Sequence, residues 1–155
     1  MIRPLQERKQ RADDWSRMIT RSSPAATTVL LVEDDFLVRD CAAEVLSECG
    51  FHVLQAANGP DALLLLEKAH VDVLFTDINM PGAFDGLELT QRVHRRWPGI
   101  AILITSGRGS PKVSVEGARF VPKPYMPDTL ARLIGEAVCR RGEGAGVASL
   151  SSLAY

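Results

Sequence analysis

The sequence predicts an α/β fold: five short parallel strands in one doubly wound sheet of order 2-1-3-4-5, with helices on both faces. Three observations carry that reading. Short apolar runs alternate with helix-period segments through the middle of the chain, the pattern of βαβ units. Several runs are unbroken aliphatic stretches, as in strands covered on both faces. Three of them end in charge: Val29-Leu30-Leu31-Val32 in Glu33-Asp34-Asp35, Val73-Leu74-Phe75-Thr76 in Asp77, and Phe120-Val121-Pro122 in Lys123-Pro124. Ligands of open α/β sheets bind at the C-terminal strand edge, so these charges mark a site.

Each element has its own signal. After the first strand, Val38, Cys41, Ala42, Val45, Leu46 and Cys49 recur at three and four, one apolar helix face that stops at Gly50. Residues 52–56 read as strand two. Asn58-Gly59-Pro60 then opens a helix with a capping residue and a proline suited to its first turn, and residues 62–66 form its apolar face. Strand three spans 71–76. Leu87, Thr90, Val93 and Trp97 follow at helical spacing before Pro98 stops the chain, and strand four spans 100–104. Leu130, Leu133, Ile134, Ala137 and Val138 mark the last helix. Right-handed crossovers leave the 2-1-3-4-5 order as the leading way to wind this set.

The chain divides into a charged, flexible leader at 1–27, a folded domain at 28–141 and a Gly/Ala/Ser tail at 142–155. A length of 155 residues makes one domain with room for a real core. The net charge of −1 gives no general field for nucleic acid or anionic lipid. The three cysteines form no C-x-x-C pair, which fits buried thiols in a reducing compartment. No window approaches a membrane span, so the expected location is cytoplasmic.

If strands one and three are neighbours, Glu33, Asp34 and Asp77 meet in one crevice. Two carboxylates about 4 Å apart repel by roughly 4 kcal/mol at an effective dielectric near 20, so such a site calls for a divalent cation. Mg²⁺ suits it, with its hard oxygen ligands and a phosphate oxygen. An Asp beside that cation is a plausible nucleophile toward a phosphoryl donor. Thr105 and Lys123, at the ends of strands four and five, supply a hydroxyl and an ammonium to the phosphoryl oxygens. Taken singly, each residue has a plainer role: Asp34 or Asp35 caps helix one, Lys123-Pro124 makes a surface turn, Thr105 is a strand-end hydroxyl. Their joint placement at four strand ends favours function.

The motifs V-L-L-V-E-D-D, F-T-D-I-N-M-P-G, D-G-L-E-L, I-L-I-T-S-G and F-V-P-K-P-Y, in this order, resemble the receiver domain of two-component response regulators. The resemblance covers about residues 28–139 and implies a flavodoxin-like fold. It also implies that Asp77 is the phosphoacceptor and that Glu33 and Asp34 are the acidic pair, Asp34 binding Mg²⁺ directly. By the same resemblance Asn79 offers its backbone carbonyl to the metal, Thr105 and Lys123 contact the phosphoryl oxygens, Ser106 leaves the acceptor uncovered, and Lys123-Pro124 is cis.

Two departures stand out. The family couples Thr105 to an aromatic three residues before the lysine; here that switch residue is Phe120, which lacks a hydroxyl and reads equally as strand-five core. Residues 106–117, between strands four and five, carry Gly107, Gly109, Pro111 and Gly117, so helix four is short or absent. The loop Gly82-Ala83-Phe84 is also one residue longer than the common form.

The resulting expectation is a single-domain response regulator and not an enzyme. It takes a phosphoryl group on Asp77 from a sensor histidine kinase or histidine phosphotransfer protein, with Mg²⁺ as cofactor. It signals to a downstream protein target or acts as a phosphate sink, as a monomer or weak dimer, with no nucleic-acid or membrane partner. The alternatives are a phosphorylation-independent interaction module on the same fold and an aspartyl-nucleophile phosphohydrolase. The latter class wants a second Asp where this chain has Asn79. His52, His70 and His94 read as surface residues, and Arg92, Arg95 and Arg96 as a solvated face.

Overall fold

The computed structural model describes residues 26–147 apart from 113 and 114, with side chains as far as Arg141. The leader before residue 26 and the last residues of the tail lie outside the described residues. The elements run β1 (Thr28–Val32), α1 (Phe36–Glu48), β2 (His52–Ala56), α2 (Gly59–Lys68), β3 (Val73–Asp77), α3 (Gly86–Arg96), β4 (Ala101–Ser106), β5 (Ala118–Pro122) and α4 (Pro127–Val147). The sheet is all parallel in the order β2-β1-β3-β4-β5.

Alternation along the central strands builds two cores, because successive side chains point to opposite faces of a sheet. Val29, Leu31, Val73, Phe75, Ala101, Leu103 and Val121 pack with Ala43 and Leu46 of α1 and with Leu130 and Ile134 of α4. Leu30, Val32, Leu74, Ile102 and Ile104 pack on the other face, with Ala62 and Leu66 of α2 and Leu89 and Val93 of α3. β1, β3 and β4 are therefore buried on both sides, which is why their sequences read as continuous apolar runs.

Helix starts follow local chemistry. Asp35 caps α1, its side chain accepting from the Leu37 and Val38 N–H groups; Asn58 caps α2 through Asp61 N–H, and Asp85 caps α3 through Glu88 N–H. At the far end of α1, Gly50 takes a left-handed φ of 91° and its N–H bonds the Ser47 carbonyl.

Several boundaries differ from the sequence reading. β3 starts at Val73 rather than 71, because Asp72 instead ties the start of β1, its N–H to the Thr28 carbonyl and its carboxylate to the Thr28 N–H. β4 extends to Ser106 and so includes Thr105. α4 continues past the expected boundary at Arg141 to Val147.

The cysteines need correction. Cys41 and Cys139 are exposed and Cys49 is half-buried. The apolar arc of α1 is wider than its footprint on the sheet: Ala43 and Leu46 are buried, whereas Leu37, Val38 and Cys41 face outward on its flank. Cys139 lies one position beyond the α4 residues, Ala137 and Val138, that still touch the core. His94 is half-buried rather than on the surface.

Between β4 and β5 no helix occurs among the described residues. Val115 is buried there at 7% exposure, and its carbonyl accepts from Ala118 N–H at 3.1 Å as β5 begins. Gly109 and Gly117 adopt φ of 87° and 77°, values that break a helix.

Candidate functional site

Strand register assembles the site. Asp77 pairs with Thr105, and Thr105 with Val121. The ladder continues past the strands through Glu33 N–H to the Ala56 carbonyl and Lys123 N–H to the Ser106 carbonyl. Counting in twos from the residues that face α1 and α4, Glu33 follows Leu31, Asp77 follows Phe75, Thr105 follows Leu103 and Lys123 follows Val121. All four fall on the same pleat at the C-terminal edge. Four chain segments thus deliver an acid, an acid, a hydroxyl and an ammonium to one place.

The ammonium of Lys123 donates to Glu33 Oε2 at 3.0 Å and to Asp77 Oδ2 at 2.5 Å. Glu33 is 4% exposed, and its Oε1 accepts from Asp35 N–H at 3.2 Å. Burial pushes the Glu33 carboxyl upward from its ordinary value, against the lowering by its Lys123 hydrogen bond. Burial also acts to depress the Lys123 ammonium, but the hydrogen bonds to Asp77 and Glu33 outweigh it, so that its net shift is upward. The lysine is therefore firmly charged, held by two buried carboxylates.

Asp34 is exposed, and one oxygen each from Glu33, Asp34 and Asp77 lie within 4.8 Å of one another. Among the described residues Lys123 bonds Glu33 and Asp77 only, and nothing pairs with Asp34. Three carboxylates thus face one ammonium, and the excess negative charge on hard oxygens fits a divalent cation of the Mg²⁺ type. The Thr105 hydroxyl is buried and has no hydrogen-bond partner among the described residues. A buried orphan hydroxyl beside such a cluster is costly unless a ligand atom completes it.

Asn79 lies two residues past Asp77. Its N–H donates to Asp77 Oδ1 at 2.8 Å, so both carboxylate oxygens of Asp77 are held. Its side-chain amide donates to Ser106 Oγ at 2.7 Å, and the same Ser106 oxygen accepts from Arg108 N–H at 3.0 Å. Phe120 is not brought to this cluster. It pairs with Ile104 on the alternate pleat and packs half-buried with the α2 and α3 core, as a strand-five core residue does.

The response regulator receiver domain family matches residues 29–134. This chain belongs to that family. The receiver is 30% identical over 115 residues to an NtrX-like response regulator of Rickettsia bellii, covering 70% of this chain and 24% of that protein. It is 31% identical over 126 residues to the hydrogenase transcriptional regulatory protein HoxA of Cupriavidus necator, covering 77% and 26%. The chain thus spans about a quarter of the length of these curated relatives.

Among solved structures, the receiver domain of the hybrid histidine kinase CckA superposes with a TM-score of 0.63 at 33% identity, covering 72% of this chain and 98% of that one. A CheY-like receiver protein of Methanospirillum hungatei superposes at 0.69 with 25% identity, covering 77% and 99%. Receiver domains are phosphoacceptors of two-component signalling that meet histidine kinases or phosphotransfer proteins and bind Mg²⁺ at an acidic pocket. No described helix of this receiver is long and apolar enough to cross a membrane.

Sequence reasoning missed three contributors. Arg39 donates to the Glu33 carbonyl at 2.7 Å, steadying the acidic turn; its place a helical turn after Asp35 was the available signal. Ser106, singled out from the sequence only for its small size, also accepts from the Asn79 side-chain amide, a contact with no sequence signature. A groove of about 690 Å³ opens beside Lys123, lined chiefly by Leu37, Val38, Cys41, Pro124, Tyr125 and Leu130. Phe36 and Met126, 61% and 67% exposed, are further apolar surface near the chain ends of this edge.

Proposed function

We propose that this receiver accepts a phosphoryl group on Asp77 from a phosphohistidine of a sensor histidine kinase or histidine phosphotransfer protein. The observation that supports it most is the buried Asp77 carboxylate, held at both oxygens and flanked by the Lys123 ammonium and the unpartnered Thr105 hydroxyl. In the transfer, a carboxylate oxygen of Asp77 attacks phosphorus, the phosphorus–nitrogen bond to imidazole breaks, and the imidazole nitrogen takes up the electron pair and a proton.

Lys123 and Thr105 receive the phosphoryl oxygens, the first by charge and the second by donating its hydroxyl hydrogen. Glu33, Asp34, Asp77 and the Asn79 backbone carbonyl would hold Mg²⁺, which would supply positive charge to offset that of the carboxylates and the phosphoryl group. Ser106, being small, leaves the acceptor accessible. The receiver acts in the cytoplasm, passing its signal by protein contacts or draining phosphate from a kinase.

The apolar rim of α1 and the 124–126 turn next to Asp77 suits a protein donor better than a small phosphate ester. Acetyl phosphate with Mg²⁺ is expected to add one phosphoryl group to the wild type and none to Asp77→Asn, read by intact mass. Equal labelling of both removes Asp77 from the scheme. Leu37→Asp is expected to slow transfer from a phosphohistidine protein while leaving acetyl phosphate labelling unchanged.

A further inference from the structure

The loop that carries Asn79, residues 78–85, is tied at both of its ends. Met80 is buried at 6% exposure on the near side. On the far side Gly86 N–H donates to the Ile78 carbonyl at 3.2 Å, closing the neck. Between these ties Pro81, Gly82 and Ala83 are exposed, and a side chain built at Gly82 would meet nothing within 4 Å. Phe84 supplies the remaining packing. Its ring lies directly on Gly59, the first residue of α2, where a Cβ would come within 2.2 Å of a ring carbon. Gly59 does not have a left-handed φ, so the glycine serves space and not backbone freedom. The Arg92 guanidinium, itself held by Glu88, stacks over the same ring at 4.2 Å from its centre.

We propose that Phe84 is a positioning residue for phosphoryl acceptance: wedged on Gly59, it fixes the loop so that Asn79 N–H holds Asp77 Oδ1 and the Asn79 backbone stays against the acidic cluster. This rests on the reading of Asp77 as acceptor. The residue touches no reacting atom and acts through Asn79. An aromatic ring has two torsions to order, and its contacts with Gly59 and Arg92 restrict them, so the extra length of this loop does not become slack at its functional end. Small displacements matter there, since a shift of about 1 Å in a reacting group costs up to about 100-fold in rate.

Four proteins test it beside the wild type: Phe84→Ala, Phe84→Leu, Gly59→Ala and the double variant Gly59→Ala/Phe84→Ala. Mg²⁺ affinity of the unphosphorylated protein is measured by calorimetry, the initial rate of acetyl phosphate labelling by intact mass, and the thermal midpoint alongside. Phe84→Ala and Gly59→Ala are each expected to weaken Mg²⁺ binding and slow labelling by roughly 3–30-fold, below that ceiling. Phe84→Leu recovers most of the loss. The double variant is no worse than Phe84→Ala, because without the ring an added Cβ at Gly59 pushes on nothing. Should Phe84→Ala not fold, Gly59→Ala carries the test, since it keeps every residue of the loop and displaces only the Phe84 ring. Wild-type Mg²⁺ affinity and rate in Gly59→Ala and in folded Phe84→Ala, with only the melting temperature lowered, would overturn the positioning role. A wild type that neither binds Mg²⁺ nor becomes labelled overturns the acceptor reading, and this inference with it.

Discussion

Two crossovers leave the central strands on either side of β4, and they are built in opposite ways. From β3 to β4 the chain closes a tight neck at Gly86, then runs an eleven-residue helix that buries Leu89, Thr90 and Val93. From β4 to β5 it runs through exposed Gly107, Arg108, Gly109 and Ser110 with no helix among the described residues, of which Val115 is the one buried there. Yet Asp77, at the head of the first, and Lys123, delivered by the second, meet at 2.5 Å. Strand register places the site, and the crossovers decide which side of it can yield. The Asp77 side is anchored; the Thr105 side opens onto a segment with little packing. Ser106, bonded to both Asn79 and Arg108 N–H, joins the two.

That contrast can be broken at glycines. A Cβ at Gly86 would come within 1.8 Å of the Asp77 carbonyl oxygen, a backbone atom that cannot step aside. Gly86→Ala is expected to cost at or above the roughly 3 kcal/mol top of the usual overpacking range, measured by denaturant melts. At the other extreme Gly107 has an ordinary φ and no atom within 4 Å of its Cβ position, so Gly107→Ala should change stability by less than about 0.5 kcal/mol. Equal costs at the two positions would contradict the asymmetry.

Between these extremes lies Lys123. Lys123→Met leaves Glu33 and Asp77 without their ammonium and is expected to cost at most the roughly 3–5 kcal/mol typical of halving a buried pair. The value is discounted because 23% of the lysine side chain still meets solvent. Its folded pKa is raised above the ordinary 10.5, so its stabilisation is fully present below pH 10.5 and lost as pH climbs through the folded value. The stability gap between wild type and variant should therefore hold through neutral pH and close only in strong alkali. A gap that closes below pH 9 would contradict the pairing.

The core carries the same contrast. Leu89→Ala in α3 should cost about 2–5 kcal/mol, and Val115→Ala less, since fewer methyl groups leave a cavity. Hydrogen exchange should show residues 107–110 opening before α3 does.

Much of this was readable before any coordinates. The meeting of Glu33, Asp34, Asp77 and Lys123 was legible because charges close several apolar runs whose ends share one sheet edge. A short or absent helix there was legible from Gly107, Gly109, Pro111 and Gly117, and none occurs among the described residues. What was not legible depends on register or on fit between distant positions. The shared pleat of Glu33, Asp77, Thr105 and Lys123 follows from strand pairing that no local pattern states. The ring of Phe84 on Gly59 joins a loop to the start of α2 with no sequence signal in either. Cys41 was misread because helical periodicity finds an apolar arc without saying how much of it the sheet covers. The extension of α4 past Gly142 was hidden because each glycine costs a helix about 1 kcal/mol and reads as a stop.

The central claim is that phosphorus is carried by one carboxylate, that of Asp77. Borohydride reduction of the acetyl phosphate-treated protein converts an acyl phosphate on aspartate to homoserine, and peptide mass mapping then locates it. Homoserine at residue 77, dependent on Mg²⁺ and lost in Lys123→Met or strongly reduced there, is the predicted result. Homoserine at Asp34 or another carboxylate, or none at any position, would contradict the account.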